Sequence, residues 1–191
     1  MTNMKQNVIH RMIRYGIIEE EDAEVYSYGL SVLTMYGCVL LFTIIISSQM
    51  GCFLEGIFFL ISYILLRSST GGYHAKSATR CIFASVFVFI CALLCIKNWH
   101  ADAYIVFLCT LISVVVVFAF SPLADRNKPL SEIEYSYNKK KAQIIIIVES
   151  IIIVAGYYMY PAISVAVLVG VLCCALLLVT GYLRARLLIR K

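Results

Sequence analysis

Long apolar runs separated by short polar segments make up most of this chain. The runs cover residues 30–49, 52–66, 81–96, 103–121, 142–160 and 161–182. A helix needs about 20 residues to cross a hydrocarbon layer of ~30 Å, so this pattern predicts an all-α fold, a polytopic membrane bundle of about six transmembrane helices. The second and third runs hold only about 15 residues each, so we expect the polar segment between them, Arg67–Arg80, to dip below the lipid headgroups.

The first 28 residues form a different kind of segment, which does not span the membrane. Basic residues lie mostly off a stripe of apolar residues at helical spacing, namely Val8, Ile9, Met12, Ile13 and Ile17. Such a pattern predicts an amphipathic helix in the inner headgroup layer, with a solvated leader as the alternative. The acidic run Glu19–Glu24 suits a helix N-terminus and predicts a second short helix. Residues 29–191 then form the transmembrane helix bundle.

Positive charge is distributed unevenly between the two sides of this predicted bundle. With a cytoplasmic N-terminus and six crossings, four polar segments face the cytoplasm, and they hold every lysine and arginine except Lys97. Cytoplasmic segments of membrane proteins are enriched in these residues, so the distribution favours six crossings with both termini in the cytoplasm.

The composition agrees with a membrane protein and indicates which kinds of partner it is expected to bind. The 191 residues are 62% hydrophobic and 14% charged, an apolar share too large for a soluble domain of this size to bury. The net charge of +5 lies in short stretches between apolar runs, so we expect membrane lipids with anionic headgroups, and no nucleic acid, as partners. The eight cysteines show no CxxC spacing and there is no HExxH motif, so the sequence does not suggest a metal or redox site.

One constellation in the polar segment has the residues for a reaction. It consists of the loop Thr70–His74, sequence TGGYH, followed by Cys81 at the start of an apolar helix. A cysteine nucleophile needs a thiolate and a base, and imidazole is the usual base at neutral pH. The helix N-terminus, together with Lys76 and Arg80, favours the thiolate. Residues seven apart on one continuous helix are separated by ~10.5 Å, so the pair can cooperate only if the chain folds back and His74 lies on a loop.

The two glycines of this loop bear on the choice between a catalytic and a structural interpretation. The spacing of His74 and Cys81 also fits a structural histidine and an inert thiol. Gly71 and Gly72, however, permit unusual backbone angles and the close approach of a substrate strand. Their place beside a basic membrane surface makes catalysis as good an interpretation as the structural one.

An acidic residue inside a predicted span supplies the alternative function. Glu149 lies seven residues into its helix, ~10 Å deep, and an intramembrane acid is by default a functional candidate. It is expected to orient His74, to hold a basic group of a substrate, or simply to pair with a neighbouring helix. Proton-coupled transport uses such a group, so a small proton-coupled membrane transporter is one alternative, and a noncatalytic membrane partner is another.

Two motifs resemble those of a known family. Residues 67–81, Arg-x-x-Thr-Gly-Gly-Tyr-His-Ala-x-x-x-x-x-Cys, are similar to the signature of AgrB, the accessory gene regulator membrane endopeptidase of Gram-positive bacteria. Residues 121–129, Ser-Pro-Leu-Ala-Asp-Arg-Asn-Lys-Pro, are similar to the Pro-x-x-x-x-Asn-Lys-Pro loop of that family. Length and hydropathy fit as well, so the resemblance spans essentially the whole chain.

The resemblance implies a cysteine endopeptidase at the cytoplasmic face of the cell membrane, with Cys81 as nucleophile and His74 as its base. It implies an AgrD-type propeptide as substrate, with an amphipathic leader, a central signal sequence and an acidic C-terminal tail. Cleavage releases the tail and leaves a thioester that cyclises to a thiolactone or lactone quorum-sensing peptide. The residues expected to bind substrate are Arg67, Gly71, Gly72, Lys139, Lys140, Lys141 and Glu149. No metal or cofactor is implied, and a homodimer is compatible with so small a bundle.

Overall fold

The computed structural model describes residues 2–71, 78–99, 102–123 and 131–189, and these residues are almost entirely helical. The helices are α1 (Thr2–Arg14), α2 (Ala23–Gln49), α3 (Phe53–Thr70), α4 (Ala78–Asn98), α5 (Ala103–Phe120), α6 (Glu132–Gly156) and α7 (Pro161–Ile189). A single 3-10 turn, Glu20–Asp22, precedes α2. No strand occurs among the described residues, so the predicted all-α fold is confirmed.

Each of the helices α2 to α7 contains most of one predicted apolar run, but α2 begins seven residues and α6 ten residues before its run. In the described part of the chain, four helical segments are long and apolar enough to cross a membrane: Glu20–Gln49, Phe53–Thr70, Ala103–Phe120 and Pro161–Arg186. The segment Ser85–Asn98 of α4 is apolar but shorter. Helices of this length and hydropathy mark an integral membrane protein.

The two runs predicted to be short belong to longer helices. The helix α3 has 18 residues and α4 has 21, so α3 alone is ~27 Å long, close to the thickness of a bilayer core. The polar residues 67–70 continue α3 as its last turn, where the Ser68 hydroxyl donates a hydrogen bond to the Leu65 carbonyl at 2.8 Å. Polar residues therefore extend both helices beyond their short apolar runs, and the dip of the loop between them stays a prediction.

The side chains of α5 are arranged inside out relative to a soluble protein. Thr110 and Ser113 are buried, and each hydroxyl donates to the carbonyl four residues earlier, at 2.8 and 2.9 Å. Large apolar side chains such as Phe107 and Val115 are exposed instead. Small residues allow helices to pack closely in lipid, and lipid solvates the bulky apolar side chains that face outward.

The chain divides into two units, residues 1–42 and 43–191. The first contains α1, whose Ile9 is buried while Val8 is exposed, and most of α2. The acidic run was predicted to start a second short helix. In the structure it forms one 3-10 turn that leads directly into α2 at Ala23. The apolar sequence that follows continues the helix without a break, so the acidic residues lie at the N-terminus of a longer helix.

The second unit is built around α7. Residues 164–171 of α7 are all buried, and α3, α4, α5 and α6 pack against this helix. The Cα of Gly170 lies so close to α3 that an added Cβ would be 2.9 Å from Ser62 Oγ and 3.0 Å from the Phe59 carbonyl oxygen. The ring of Phe59 packs edge-on against the ring of Phe89 of α4, with centroids 5.2 Å apart. Thus α3 lies close to α7. The C-terminal end of α3 leads into the TGGYH loop, and the predicted topology places this end on the cytoplasmic side.

Candidate functional site

The two motifs that carry the family resemblance meet at one backbone junction. The Leu123 N–H donates a hydrogen bond to the Thr70 carbonyl at 2.9 Å, and Gly71 and Leu123 form an isolated parallel bridge. Thr70 is the last residue of α3, and Leu123 follows the end of α5. The start of the TGGYH loop is therefore attached to the start of the Ser-Pro-Leu-Ala-Asp-Arg-Asn-Lys-Pro loop. We call this contact the Thr70–Leu123 junction.

The junction requires glycine at position 71. Gly71 has φ 65° and ψ −149°, a backbone conformation that is essentially restricted to glycine. A Cβ added to it would overlap the carbonyl oxygen of Leu123. Glycine thus supplies both the unusual backbone angles and the close approach that the sequence suggested, although the group that approaches in the structure is a backbone segment of the protein itself.

Polar side chains are buried around the junction. Ser69 and Thr70 of α3 and Ser121 beyond α5 are all buried. The Ser121 N–H donates to the Val117 carbonyl at 3.0 Å, which closes the last turn of α5, but its hydroxyl finds no partner among the described residues. Sequence reasoning missed both Ser121 and the junction. A Gly-Gly pair and a Ser-Pro pair each signal a turn, but nothing in the sequence shows that the two turns touch.

The proposed catalytic pair is only partly placed. Cys81 is the fourth residue of α4, so its backbone lies in the first turn of a helix, as predicted. Ser77, a residue type that often caps helices, directly precedes its first residue in the sequence. His74 and Gly72, like Ser77, lie outside the described residues. The distance between imidazole and thiol therefore stays a prediction.

Arg67 lies in the last turn of α3, at the contact with α7. It is half-buried, with one guanidinium nitrogen, Nη1, fully buried, and it lies near Cys174. The Cys174 thiol donates to the Tyr63 carbonyl of α3 at 3.4 Å. The arginine predicted to bind substrate is therefore half-buried between α3 and α7, one helical turn before the junction.

The lysine run occupies the boundary between an exposed and a buried part of α6. This helix begins with a capping box, in which Ser131 Oγ accepts from the Glu134 N–H at 3.2 Å and the Glu134 carboxylate accepts from the Ser131 N–H at 3.0 Å. Residues 132–137 are exposed on every face, Lys140 and Lys141 are exposed, and Ala142 is fully buried. The lysines therefore form a positively charged turn of α6 directly before the helix becomes buried in the bundle.

Glu149 lies deeper, inside the bundle. It is only 4% exposed, and neither carboxyl oxygen has a hydrogen-bond partner among the described residues. Its neighbour on α3 is Ser62, eight residues before Thr70, which corresponds to ~12 Å along the helix axis. The acid is therefore well removed from the Thr70–Leu123 junction. Among the described residues, no group of three or more histidine, cysteine or acidic side chains is arranged to hold a metal ion.

Comparison with known proteins agrees with the motifs. A family model described as accessory gene regulator B matches residues 5–178. "Putative AgrB-like protein 2" of Clostridium perfringens (strain 13 / Type A) is 24% identical over 133 residues, which cover 66% of this chain and 62% of the relative. "Accessory gene regulator protein B" of Staphylococcus aureus is 33% identical over 70 residues in strain Newman, 37% of each chain, and 27% identical over 122 residues in strain MW2, 64% of each. The chain thus spans about 62% of the length of the first of these relatives. No solved structure matches.

Proposed function

Since this chain belongs to the accessory gene regulator B family, we propose that it is a membrane cysteine endopeptidase that processes an AgrD-type propeptide for quorum sensing. The observation that carries the proposal is the Thr70–Leu123 junction. It joins the two family motifs at the start of the loop that holds His74, and that loop ends at the first turn of α4, where Cys81 lies. This contact supports the assignment of both motifs to one site.

The proposed chemistry begins with a thiolate. Backbone N–H groups in the first turn of a helix have no partner within the helix, so the N-terminus of α4 favours an anion at Cys81. His74 takes the proton of the thiol, and the sulfur attacks the carbonyl carbon at the cleavage position. His74 then returns that proton to the leaving amine, which departs with the acidic tail. The signal sequence is left joined to Cys81 as a thioester.

Cyclisation completes the proposed reaction without nucleotide hydrolysis. An internal thiol or hydroxyl of the substrate attacks the thioester carbonyl, its proton passes to His74, and Cys81 is released as a thiol. A thioester retains acyl-transfer potential, so the new thiolactone or lactone bond replaces the thioester bond directly. Water must be kept away during this step, because it would hydrolyse the thioester. Ser69 and Ser121 at the junction are buried, so the side of the proposed site that faces the bundle is shielded from water.

Substrate binding is proposed to use the basic inner surface. An amphipathic leader lying in the headgroup layer raises the local concentration of propeptide at the membrane. The exposed lysines of α6, Lys140 and Lys141 with the half-buried Lys139, attract the acidic tail. Arg67, Gly71 and Gly72 hold the segment near the cleavage position. Both termini and the site lie on the cytoplasmic side in this proposal, as the distribution of basic residues predicts.

The test is co-expression of the chain with its propeptide, followed by detection of the cleaved tail. Cys81→Ala and His74→Ala are each expected to abolish cleavage while membrane insertion is unchanged, because each removes one half of the nucleophile–base pair. The matched control is Cys91→Ala, which removes an exposed thiol from the same helix and is expected to leave cleavage at the wild-type level. Normal cleavage by Cys81→Ala would contradict the proposal.

A proton-coupled transporter is the second candidate, because Glu149 is buried in the bundle without a described hydrogen-bond partner. The two functions respond oppositely to the same pair of variants. A transporter loses flux in Glu149→Gln, which cannot exchange a proton, and is indifferent to Cys81→Ala. The peptidase is lost in Cys81→Ala.

A further inference from the structure

The helix α4 carries the proposed nucleophile, whereas the loop with the proposed base begins at the end of α3. Cys81 is the fourth residue of α4, and His74 follows the Thr70–Leu123 junction in the sequence. A thiol and an imidazole exchange a proton only within hydrogen-bond reach, ~3 Å between heavy atoms. The separation of the two groups therefore depends on how α4 is positioned, in height and in rotation, against α3.

One face of α4 is buried among the side chains that the structure describes, and Phe89 is the member of this face nearest to Cys81. Cys81 precedes Phe89 by eight residues, which corresponds to ~12 Å along the helix axis. Phe87, on another face of the same helix, is 68% exposed. The buried side chains recur at helical spacing and are Phe89, Ala92, Leu93 and Ile96.

Phe89 fits between two aromatic rings of α3. Its ring lies edge-on to Phe59, with centroids 5.2 Å apart and planes at 89°, and edge-on to Tyr63, with centroids 5.1 Å apart and planes at 84°. Phe59 and Tyr63 are one helical turn apart and stack on each other at 6.2 Å. Aromatic pairs prefer particular orientations, so a ring held edge-on by two others resists both sliding and rotation of the helix that carries it.

The other end of α4 is attached to the bundle by a separate contact. Lys97 Nζ donates a hydrogen bond to the Met50 carbonyl at 3.0 Å. Met50 directly follows the last residue of α2, and a cation is favourable beside the C-terminus of a helix. Phe89 and Lys97 lie eight residues apart, ~12 Å along the axis, so the two attachments together define the direction of α4 as well as its height.

We propose that Phe89 is a positioning residue, which is held between Phe59 and Tyr63 and sets the place of Cys81 relative to the loop that holds His74. Its effect on activity rests on the proposed peptidase function. Phe89 is buried, so it acts through the backbone of α4 and does not contact the substrate. Misplacing a reacting atom by about 1 Å can cost roughly 100-fold in rate. The groups proposed to bind propeptide lie outside α4, so a displaced Cys81 lowers the rate of the reaction more than the affinity for substrate.

The experiment compares Phe89→Ala, Phe89→Leu and Phe87→Ala with the wild-type protein, purified in detergent and supplied with propeptide. The first measured quantity is the single-turnover rate of tail release at saturating propeptide, and the second is the propeptide concentration that gives half this rate. Phe89→Ala is expected to lower the rate at least roughly tenfold and to change the half-saturating concentration by no more than about twofold, because the ring that positions α4 is lost.

Two variants separate positioning from a general loss of stability. Phe89→Leu keeps most of the buried volume but has no ring, so it is expected to fold and to lower the rate by about threefold. Phe87→Ala removes the same ring from the exposed side of α4 and is expected to stay within about twofold of wild type. The wild-type rate in both Phe89 variants, or an equal loss in Phe87→Ala, would overturn the inference.

A distance measurement distinguishes failure of this inference from failure of the proposed function. Nitroxide labels are placed on Cys81 and on Ser68→Cys, in the exposed last turn of α3, with every other cysteine replaced by alanine, and electron spin resonance reports their separation. The distribution of distances is expected to shift or broaden in Phe89→Ala and to stay unchanged in Phe87→Ala. An unchanged distribution in Phe89→Ala would overturn the inference whatever the activity. A shifted distribution would support it even if none of the variants, nor the wild type, cleaves propeptide, in which case only the peptidase proposal fails.

Discussion

Replacing Gly71 by alanine tests whether the Thr70–Leu123 junction organises the proposed site. The backbone at Gly71, φ 65° and ψ −149°, costs residues other than glycine ~1–3 kcal/mol. The added Cβ overlaps the Leu123 carbonyl oxygen, so the hydrogen bond between Leu123 and Thr70 must break or lengthen, at about 1 kcal/mol. Together these costs of about 2–4 kcal/mol shift the equilibrium between bridged and open junction ~30- to 1,000-fold.

The expected result of Gly71→Ala is a loss of propeptide cleavage of at least roughly tenfold, because the loop carrying His74 begins at this residue. Thermal unfolding of the purified variant is expected to change by only a few degrees, since the junction lies at the edge of the bundle. The matched control is Gly51→Ala, where φ is 72° but nothing lies within 4 Å of the new Cβ. The control isolates backbone strain of ~1–2 kcal/mol at a turn remote from the junction. Wild-type cleavage by Gly71→Ala would refute the role assigned to the junction.

Three further predictions concern the helices around the site. Ser131→Ala removes the capping box of α6 and is expected to lower the free energy of unfolding by ~1 kcal/mol, measured by thermal unfolding in detergent; an unchanged midpoint would contradict this role for the cap. Gly170→Leu places a side chain against Ser62 and is expected to destabilise the bundle by ~1–3 kcal/mol in the same assay, and equal stability would refute the close packing of α3 and α7. Changing Lys139–Lys141 to glutamine is expected to weaken binding of the acidic tail peptide in titrations at low salt, with little difference at high salt. Equal affinity at low salt would show that these lysines do not attract the tail.

The positions of the helices were predictable because lipid imposes a simple rule on apolar sequence. Every apolar run became part of a helix, but the ends were misjudged wherever polar residues extend one. Arg67 and its neighbours were assigned to a loop and instead form the last turn of α3, where the Ser68 hydroxyl bonds to the Leu65 carbonyl. The first ten residues of α6 were missed in the same way, although the Ser-x-x-Glu pattern at Ser131 is a recognisable helix start.

The arrangement of the site was harder to predict from the sequence, because it depends on contacts between residues far apart in the chain. The motifs around Gly71 and Leu123 were each visible, but only the fold shows that their backbones are hydrogen-bonded. The sequence placed Glu149 inside an apolar run, but the burial of its side chain in the bundle is seen only in the structure. Its relation to Ser62 depends on how α3 and α6 pack, which no single segment encodes.

The most direct test of the proposed peptidase is the intact mass of the protein after rapid mixing with its propeptide in detergent. The account predicts an added mass equal to the leader and signal sequence without the acidic tail. Peptide mapping should place the adduct on Cys81, hydroxylamine should remove it, and Cys81→Ala should never carry it. An adduct on a different residue, or tail release by Cys81→Ala, would contradict a thioester at Cys81.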